Sequence, residues 1–252
     1  MTAARGWALP AAAVVGAAAA HAAPAVLALG GPRRLLAPAL AGTGHPGHVA
    51  LTFDDGPDPR STPAMLRLLA ERRVTATFFL VGTNVARYPG LAAEIAAAGH
   101  ELAVHGLHHR LLLRYPPGRV RADLAAAHDL VATAAGAAPR WFRPPYGVLS
   151  GGAWTAARRL GMRTVLWTAW GRDWTGHATG SSVYRTVCRD LRGGGTVLLH
   201  DTASGTAAPE SWRATLAAVP TILDRCADAG WRVGPLRDHG LRQDCRRSPG
   251  MR

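Results

Sequence analysis

The chain has 252 residues, 48% of them hydrophobic, which is enough for one large core or two small ones. All 29 basic residues are arginines, set against 16 acidic residues for a net charge of +13. This balance suits a partner bearing phosphates or carboxylates, but the arginines are spread along the chain with no basic block, zinc-finger spacing or RNA-binding aromatic motif. Compositional drift toward Arg and Ala is therefore the simpler account, and no nucleic-acid partner is expected.

Residues 1–47 read as an apolar segment and a linker. Gly6 to Gly31 is almost wholly apolar, flanked by Arg5 and by Arg33 and Arg34, with Ala20-His21-Ala22 resembling a small-x-small cleavage site. An export signal or membrane anchor is expected, which places the protein outside the cytoplasm, secreted or tethered. Pro10, Pro24 and His21 weaken a continuous spanning helix, and an Ala-rich helix packed on the domain is the alternative. Cys188, Cys226 and Cys245 cannot all pair with one another and form no C-x-x-C. Cys188 and Cys226 are expected as buried thiols in helices.

After the link from Pro38 to Gly47, strand-like and helix-like stretches alternate. "VALTF" predicts a strand, and "TPAMLRLLAERR" a helix with Pro63 in its first turn and Met65, Leu66, Leu68 and Leu69 at helical spacing. "TATFFLV" is a strand, "NVARYPGLAAEIAAAG" a helix that Pro89 can break, and "HELAVH" a strand. Next come helix "RVRADLAAAHDLVATAAG", strand "RWFRPP", helix "GAWTAARRLG" and strand "RTVLWTAW". Helix "SSVYRTVCRDLRGG", strand "GTVLLH", helix "WRATLAAVPTILDRCADAG" and strand "WRVGPL" complete the series. About seven apolar strands alternating with helices predict parallel βαβ units in one α/β domain over residues 48–238, followed by a basic tail at 239–252. Polar residues just beyond several strands favour a distorted barrel over an open sheet, and no G-x-G-x-x-G or P-loop follows any strand.

Two strand ends carry candidate chemistry. In "TFDDGPD", Asp54 and Asp55 set like charges side by side, which a cation held by one carboxylate relieves while the other addresses a bound water; an Asp-Asp-Gly-Pro turn is the plainer reading. In "HGLHH", His105 and His109 are four apart, so a helical turn would bring both imidazoles to one side of a divalent ion. A solvated pair of loop histidines has the same spacing.

Three further stretches extend the pattern: "RPPYG" with Arg143 and Tyr146, "GRDW" with Asp173 and Trp174, and "TVLLHD" ending in His200 and Asp201. These five motifs, in this order, resemble the polysaccharide deacetylases of carbohydrate esterase family 4, over about residues 48–236. The resemblance implies a distorted barrel and removal of N-acetyl groups from amino-sugar glycans, such as peptidoglycan or chitin-like oligosaccharides, with one divalent metal. Zinc suits a two-His, one-Asp set, and cobalt or nickel could serve. It makes Asp54 the catalytic base; Asp55, His105 and His109 the metal ligands; Arg143 the residue orienting Asp54; and His200 the catalytic acid with Asp173 as partner. The Tyr146 N–H would face the oxyanion, and Trp174 and Leu198 would line the acetyl-methyl pocket.

Those roles fit the chemistry, because an amide carbonyl must be polarised and its attacking water sharpened. Gly106 stands where the family usually has Ser or Thr, and Trp170 where it usually has a carboxylate, so substrate range and metal affinity are where this chain departs from the pattern. His108 is expected to lie outside the ligand set. An acetylxylan O-deacetylase is the enzymatic alternative and a non-catalytic glycan-binding protein the other; a monomer acting on an acetylated glycan, with membrane association through the N-terminal segment, is expected.

Overall fold

A computed structural model describes residues 15–203 and 207–241; Cys245 and most of the basic tail lie outside them. Among the described residues eight strands form one parallel sheet: β1 His48–Asp54, β2 Thr77–Leu80, β3 Glu101–Val104, β4 Trp141–Phe142, β5 Arg163–Thr164, β6 Ala169–Trp170, β7 Thr196–His200 and β8 Arg232–Gly234. The order is β5-β4-β3-β2-β1-β7-β6. β1 pairs with β7 along Ala50–Asp54, while its other edge is shared by β8 at His48–Ala50 and β2 at Thr52–Asp54. This is the expected single α/β domain built as a distorted parallel barrel.

Strand periodicity explains why the barrel is solid below and chemical above. Side chains alternate along a strand, so Val49, Leu51 and Phe53, Phe78 and Leu80, Leu102 and Val104, and Val197 and Leu199 enter the large core beneath the helices. The intervening residues face inward: Ala50, Phe79, Ala103 and Trp141 form a second cluster. Thr52, Asp54, His105, Arg143 and His200 continue that inward face toward the C-terminal strand ends. Every residue of β1 is buried, as its unbroken apolar run requires.

The helices are α1 (described from residue 15 to 22), α2 Gly30–Leu36, α3 Thr62–Glu71, α4 Gly82–Arg87, α5 Pro89–Ala97, α6 Pro117–Ala135, α7 Gly151–Arg159, α8 Gly180–Asp190 and α9 Trp212–Asp228. Pro89 breaks its stretch into α4 and α5, beginning the second where its missing N–H is tolerated. α7 is capped by Ser150, whose Oγ accepts from the Ala153 N–H, and α8 opens with a reciprocal Thr179–Ser182 capping box. Among the described residues no helix is long and apolar enough to cross a membrane. Cys188 and Cys226 are free thiols in α8 and α9, the second buried and the first half-buried.

The stretch "RTVLWTAW" is two short strands rather than one. Among the described residues β5 pairs only with β4 and β6 only with β7. Between them the chain turns the corner of the barrel, and the Leu166 N–H donates to Leu40 O at 2.7 Å instead of to a neighbouring strand. The link after the apolar segment thus closes the seam. At the barrel base, Glu101 accepts from Thr77, Trp141 and the Arg237 N–H at 2.8–3.0 Å, so its buried carboxylate is fully partnered. His239 and Leu241, the first described residues of the basic tail, are buried there.

Candidate active site

The site is a cavity of about 210 Å³ bounded by Asp54, Asp55, His105, His109 and His200 together with Tyr146, Trp167, Trp170, Trp174 and Leu198. Every sequence-predicted ligand, base, acid and pocket residue except Arg143 and Asp173 lines it. Those two stand directly behind Asp54 and His200.

Asp54 ends β1 on the inward face. By strand alternation Asp55 would point outward, but its φ of 84° turns it back toward the same cavity. That left-handed conformation is held on every side. The Asp55 N–H donates to Phe79 O at 3.1 Å, its carbonyl accepts from Asn84 Nδ2 at 2.9 Å, and Gly56 O accepts from the Val81 N–H at 3.0 Å. The two carboxylates therefore have separate tasks with separate supports.

His105 and His109 meet without a helix: the chain runs straight out of β3 into bends, with Gly106 at φ 95°. The helical turn expected from the spacing of four is replaced by a loop, because a glycine in the left-handed region reverses the backbone there. Their ring centroids are 5.3 Å apart. His108 is half-buried and does not line the cavity.

The donors fit a metal. His105 Nδ1 lies 2.8 Å from Arg143 O, which can only accept, so Nδ1 carries a proton and Nε2 is the ring atom turned to the cavity. His105 Nε2 and His109 Nε2 are 3.3 and 3.4 Å from Asp55 Oδ1. Donors about 2.0–2.2 Å from a tetrahedral ion lie roughly 3.3–3.6 Å from one another, which is the spacing found. Asp55 Oδ1 is buried with no hydrogen-bond partner among the described residues, and an anionic oxygen so placed suits a cation. Burial alone would raise the Asp55 pKa, but the facing imidazoles of His105, His200 and His109 hold it well below the ordinary carboxylate range. Burial lowers the His109 pKa, which favours the neutral ring that can ligate.

Arg143 is fully buried and collects four acceptors: Asp54 Oδ1 at 2.6 Å, Thr52 Oγ1 at 2.8 Å, Leu166 O at 2.9 Å and Val165 O at 3.3 Å. Its guanidinium lies 4.0 Å from the Phe79 ring centroid. Burial draws its pKa down and Asp54 opposes that; an arginine stays charged throughout the physiological range. With Oδ1 engaged, Asp54 Oδ2 is 3.7 Å from His105 Nε2 and turned to the cavity.

Asp173 Oδ1 meets His200 Nδ1 at 2.9 Å, and its Oδ2 accepts from the His200 N–H at 2.7 Å and from Thr215 Oγ1 at 2.6 Å. Burial disfavours the imidazolium, but Asp173, with Asp55 and Asp54 beyond it, pushes the His200 pKa up to about 10. Trp174 lies across the His200 ring at 5.6 Å, and Leu198 faces inward from β7 two residues before it. Tyr146 sits at φ 59° in the Pro145–Gly147 turn, its ring 4.5 Å from His109.

Several supports carry little sequence signal. Thr52 was legible in principle, since it precedes Asp54 by two on the same strand face. Thr215 comes from the middle of α9, and Asn84 from a helix start. Trp167 lies in the seam between β5 and β6. Asp201, next to His200, is buried, accepts from Thr62 Oγ1 at 2.5 Å, and leaves no room for a side chain at Gly56, where a Cβ would be 2.8 Å from both carboxylate oxygens.

Comparison with known proteins agrees with this geometry. The profile of the polysaccharide deacetylase family matches residues 41–165. A chitooligosaccharide deacetylase of Bradyrhizobium sp. (strain ANU 289) is 38% identical over 154 residues, 61% of this chain and 70% of that protein. A peptidoglycan-N-acetylglucosamine deacetylase of Bacillus cereus is 32% identical over 187 residues, 73% of this chain and 84% of that one. The crystal structure of a peptidoglycan N-acetylglucosamine deacetylase in complex with 4-naphthalen-1-yl-N-oxidanyl-benzamide superposes with a TM-score of 0.73 at 28% identity, covering 81% of this chain and 94% of that chain. With identity spread over most of those relatives and the shared barrel, the chain is a hydrolase of the polysaccharide deacetylase family, carbohydrate esterase family 4.

Proposed function

We propose that this site removes N-acetyl groups from the amino sugars of an envelope glycan, peptidoglycan or a chitin-like oligosaccharide, with one divalent cation, zinc by its donor set. The observation that carries the reading is the convergence of three neutral or anionic donors beside a separately held carboxylate, with a protonated histidine bounding the same cavity. Asp55, His105 and His109 would hold the ion, which when bound polarises the acetyl carbonyl and acidifies water.

The chain's own residues do the rest. Asp54, oriented through Oδ1 by Arg143, has Oδ2 free to take a proton from the attacking water. The Tyr146 N–H donates to the oxyanion as the carbonyl becomes tetrahedral. His200 holds its Nδ1 proton against Asp173, which leaves the Nε2 proton to give to the departing amine. Trp174 and Leu198 close on the acetyl methyl group, and Trp167 and Trp170 present further ring faces to sugar. An acetylated polymer of this kind lies outside the cytoplasm, in keeping with an exported or tethered monomer.

The test is acetate release from a panel of acetylated chitooligosaccharides, peptidoglycan and acetylxylan. Asp54→Asn should lower the rate about 10²- to 10⁴-fold while zinc binding, followed by competition with a chromogenic chelator, persists. A strong chelator should abolish release and added zinc restore it. Undiminished release in either case refutes the reading.

A further inference from the structure

We infer that Arg33, from the apolar N-terminal segment, is a positioning residue of the site: it fixes Trp167 from outside the barrel and, through Trp167, the Tyr146–Gly147 turn. This rests on the deacetylase reading for its catalytic consequence, but not for its structural one.

The seam between β5 and β6 has no strand-to-strand ladder, so its carbonyls need other donors. Arginines supply them. Arg143, inside the barrel, donates to Val165 O and Leu166 O. From α2, Arg33 Nη2 donates to Trp167 O at 2.7 Å, and Arg34 Nη2 donates to Thr168 O. Four consecutive carbonyls are thus held by three guanidinium groups, two of them from the N-terminal segment. Arg34 is also paired with Asp190 on the surface, but Arg33 is 3% exposed, and among the described residues none of its hydrogen-bond partners is a carboxylate. A buried cation of that kind is retained by its carbonyls and by the indole of Trp167, 5.2 Å from its guanidinium carbon. Trp167 is therefore gripped at its carbonyl and on its ring by one side chain.

The far edge of that ring reaches the active site. A Cβ placed on Gly147 would be 2.6 Å from Trp167 Cη2, so the indole packs directly on the Gly147 backbone. Gly147 at φ 69° and Tyr146 at φ 59° form two successive left-handed residues, a conformation that a tyrosine adopts only where its surroundings hold it. The Trp167 ring is such a surrounding, and it lines the cavity as well. The Ala20-His21-Ala22 triplet lies before Arg33, so cleavage there would leave the brace intact.

The test compares the full chain with Arg33→Ala and Arg33→Lys by hydrogen exchange and by kinetics. Exchange should quicken about 10-fold or more in peptides covering 144–148 and 165–168 of the Ala variant, with β1 and β2 unchanged. With the zinc-loaded protein on acetylated chitooligosaccharide, kcat should fall about 10-fold with KM within about twofold, because a displaced oxyanion donor is missed only in the transition state. The Lys variant, keeping the charge but not the fork, should fall between, and it decides the matter if the Ala variant fails to fold. Wild-type exchange at 144–148 in both variants overturns the inference, as does a mature protein whose N terminus lies beyond Arg33. If the wild type releases no acetate, the deacetylase reading fails and the exchange data still decide the role of Arg33.

Discussion

His200 and Asp173 show how much of the chemistry is set one side chain at a time. Three donors converge on the Asp173 carboxylate, and the result is an imidazolium retained up to about pH 10. The sign is that of a base stabilised in its charged form. Its contribution to stability is full below the unfolded value of 6.5 and is lost as pH rises through about 10. Asp173→Asn removes the largest cause of the rise, so the alkaline limb of the kcat–pH profile should move toward neutrality; an unmoved limb would show that His200 is not the acid. At Asp55 the corresponding support is Asn84. Asn84→Ala leaves the carbonyl of a left-handed residue without its donor, and zinc affinity should drop about 10-fold or more in a chelator competition.

Loops, more than strands, decide where those side chains end up. Asp54, His105 and His200 arrive by strand alternation, but Asp55, His109 and Tyr146 depend on left-handed residues at or beside strand ends. These are the positions where periodicity stops being informative, which is why a spacing of four suggested a helical turn for two histidines that meet across a glycine bend. The Tyr146–Gly147 turn is the most demanding of them. Gly147→Ala introduces a Cβ at φ 69° and 2.6 Å from an indole, and should reduce unfolding free energy by about 1–3 kcal/mol, read from the urea midpoint, with a fall in kcat. A variant as stable and active as wild type would mean that the turn has slack.

Across the whole molecule, the barrel is closed by pieces distant in sequence. The link at Leu40 and the arginines of α2 complete a seam that no strand fills, and β8 extends β1 at the base. Beneath the catalytic loops, Asp201 joins the end of β7 to the start of α3 through Thr62. Burial, reinforced by the nearby charge of Asp55, raises its pKa to about 7, so it enters the fold as the neutral acid. That contribution is full below the unfolded value of 3.8 and is lost as pH rises through about 7. Asp201→Asn, which cannot ionise, should gain on wild type in urea midpoint between pH 4 and pH 8; parallel pH profiles would contradict the assignment.

The sequence by itself determined the barrel class, the family and most of the residues that line the cavity, because alternating apolar strands and the motifs at their ends, which carry the resemblance, are local properties that survive without coordinates. Only the tertiary structure decided what supports them. Asn84, Thr215 and Arg33 reach their partners across 29, 42 and 134 positions of chain, the last of them at Trp167, and no periodicity or spacing records a partner that is brought near only when the barrel closes.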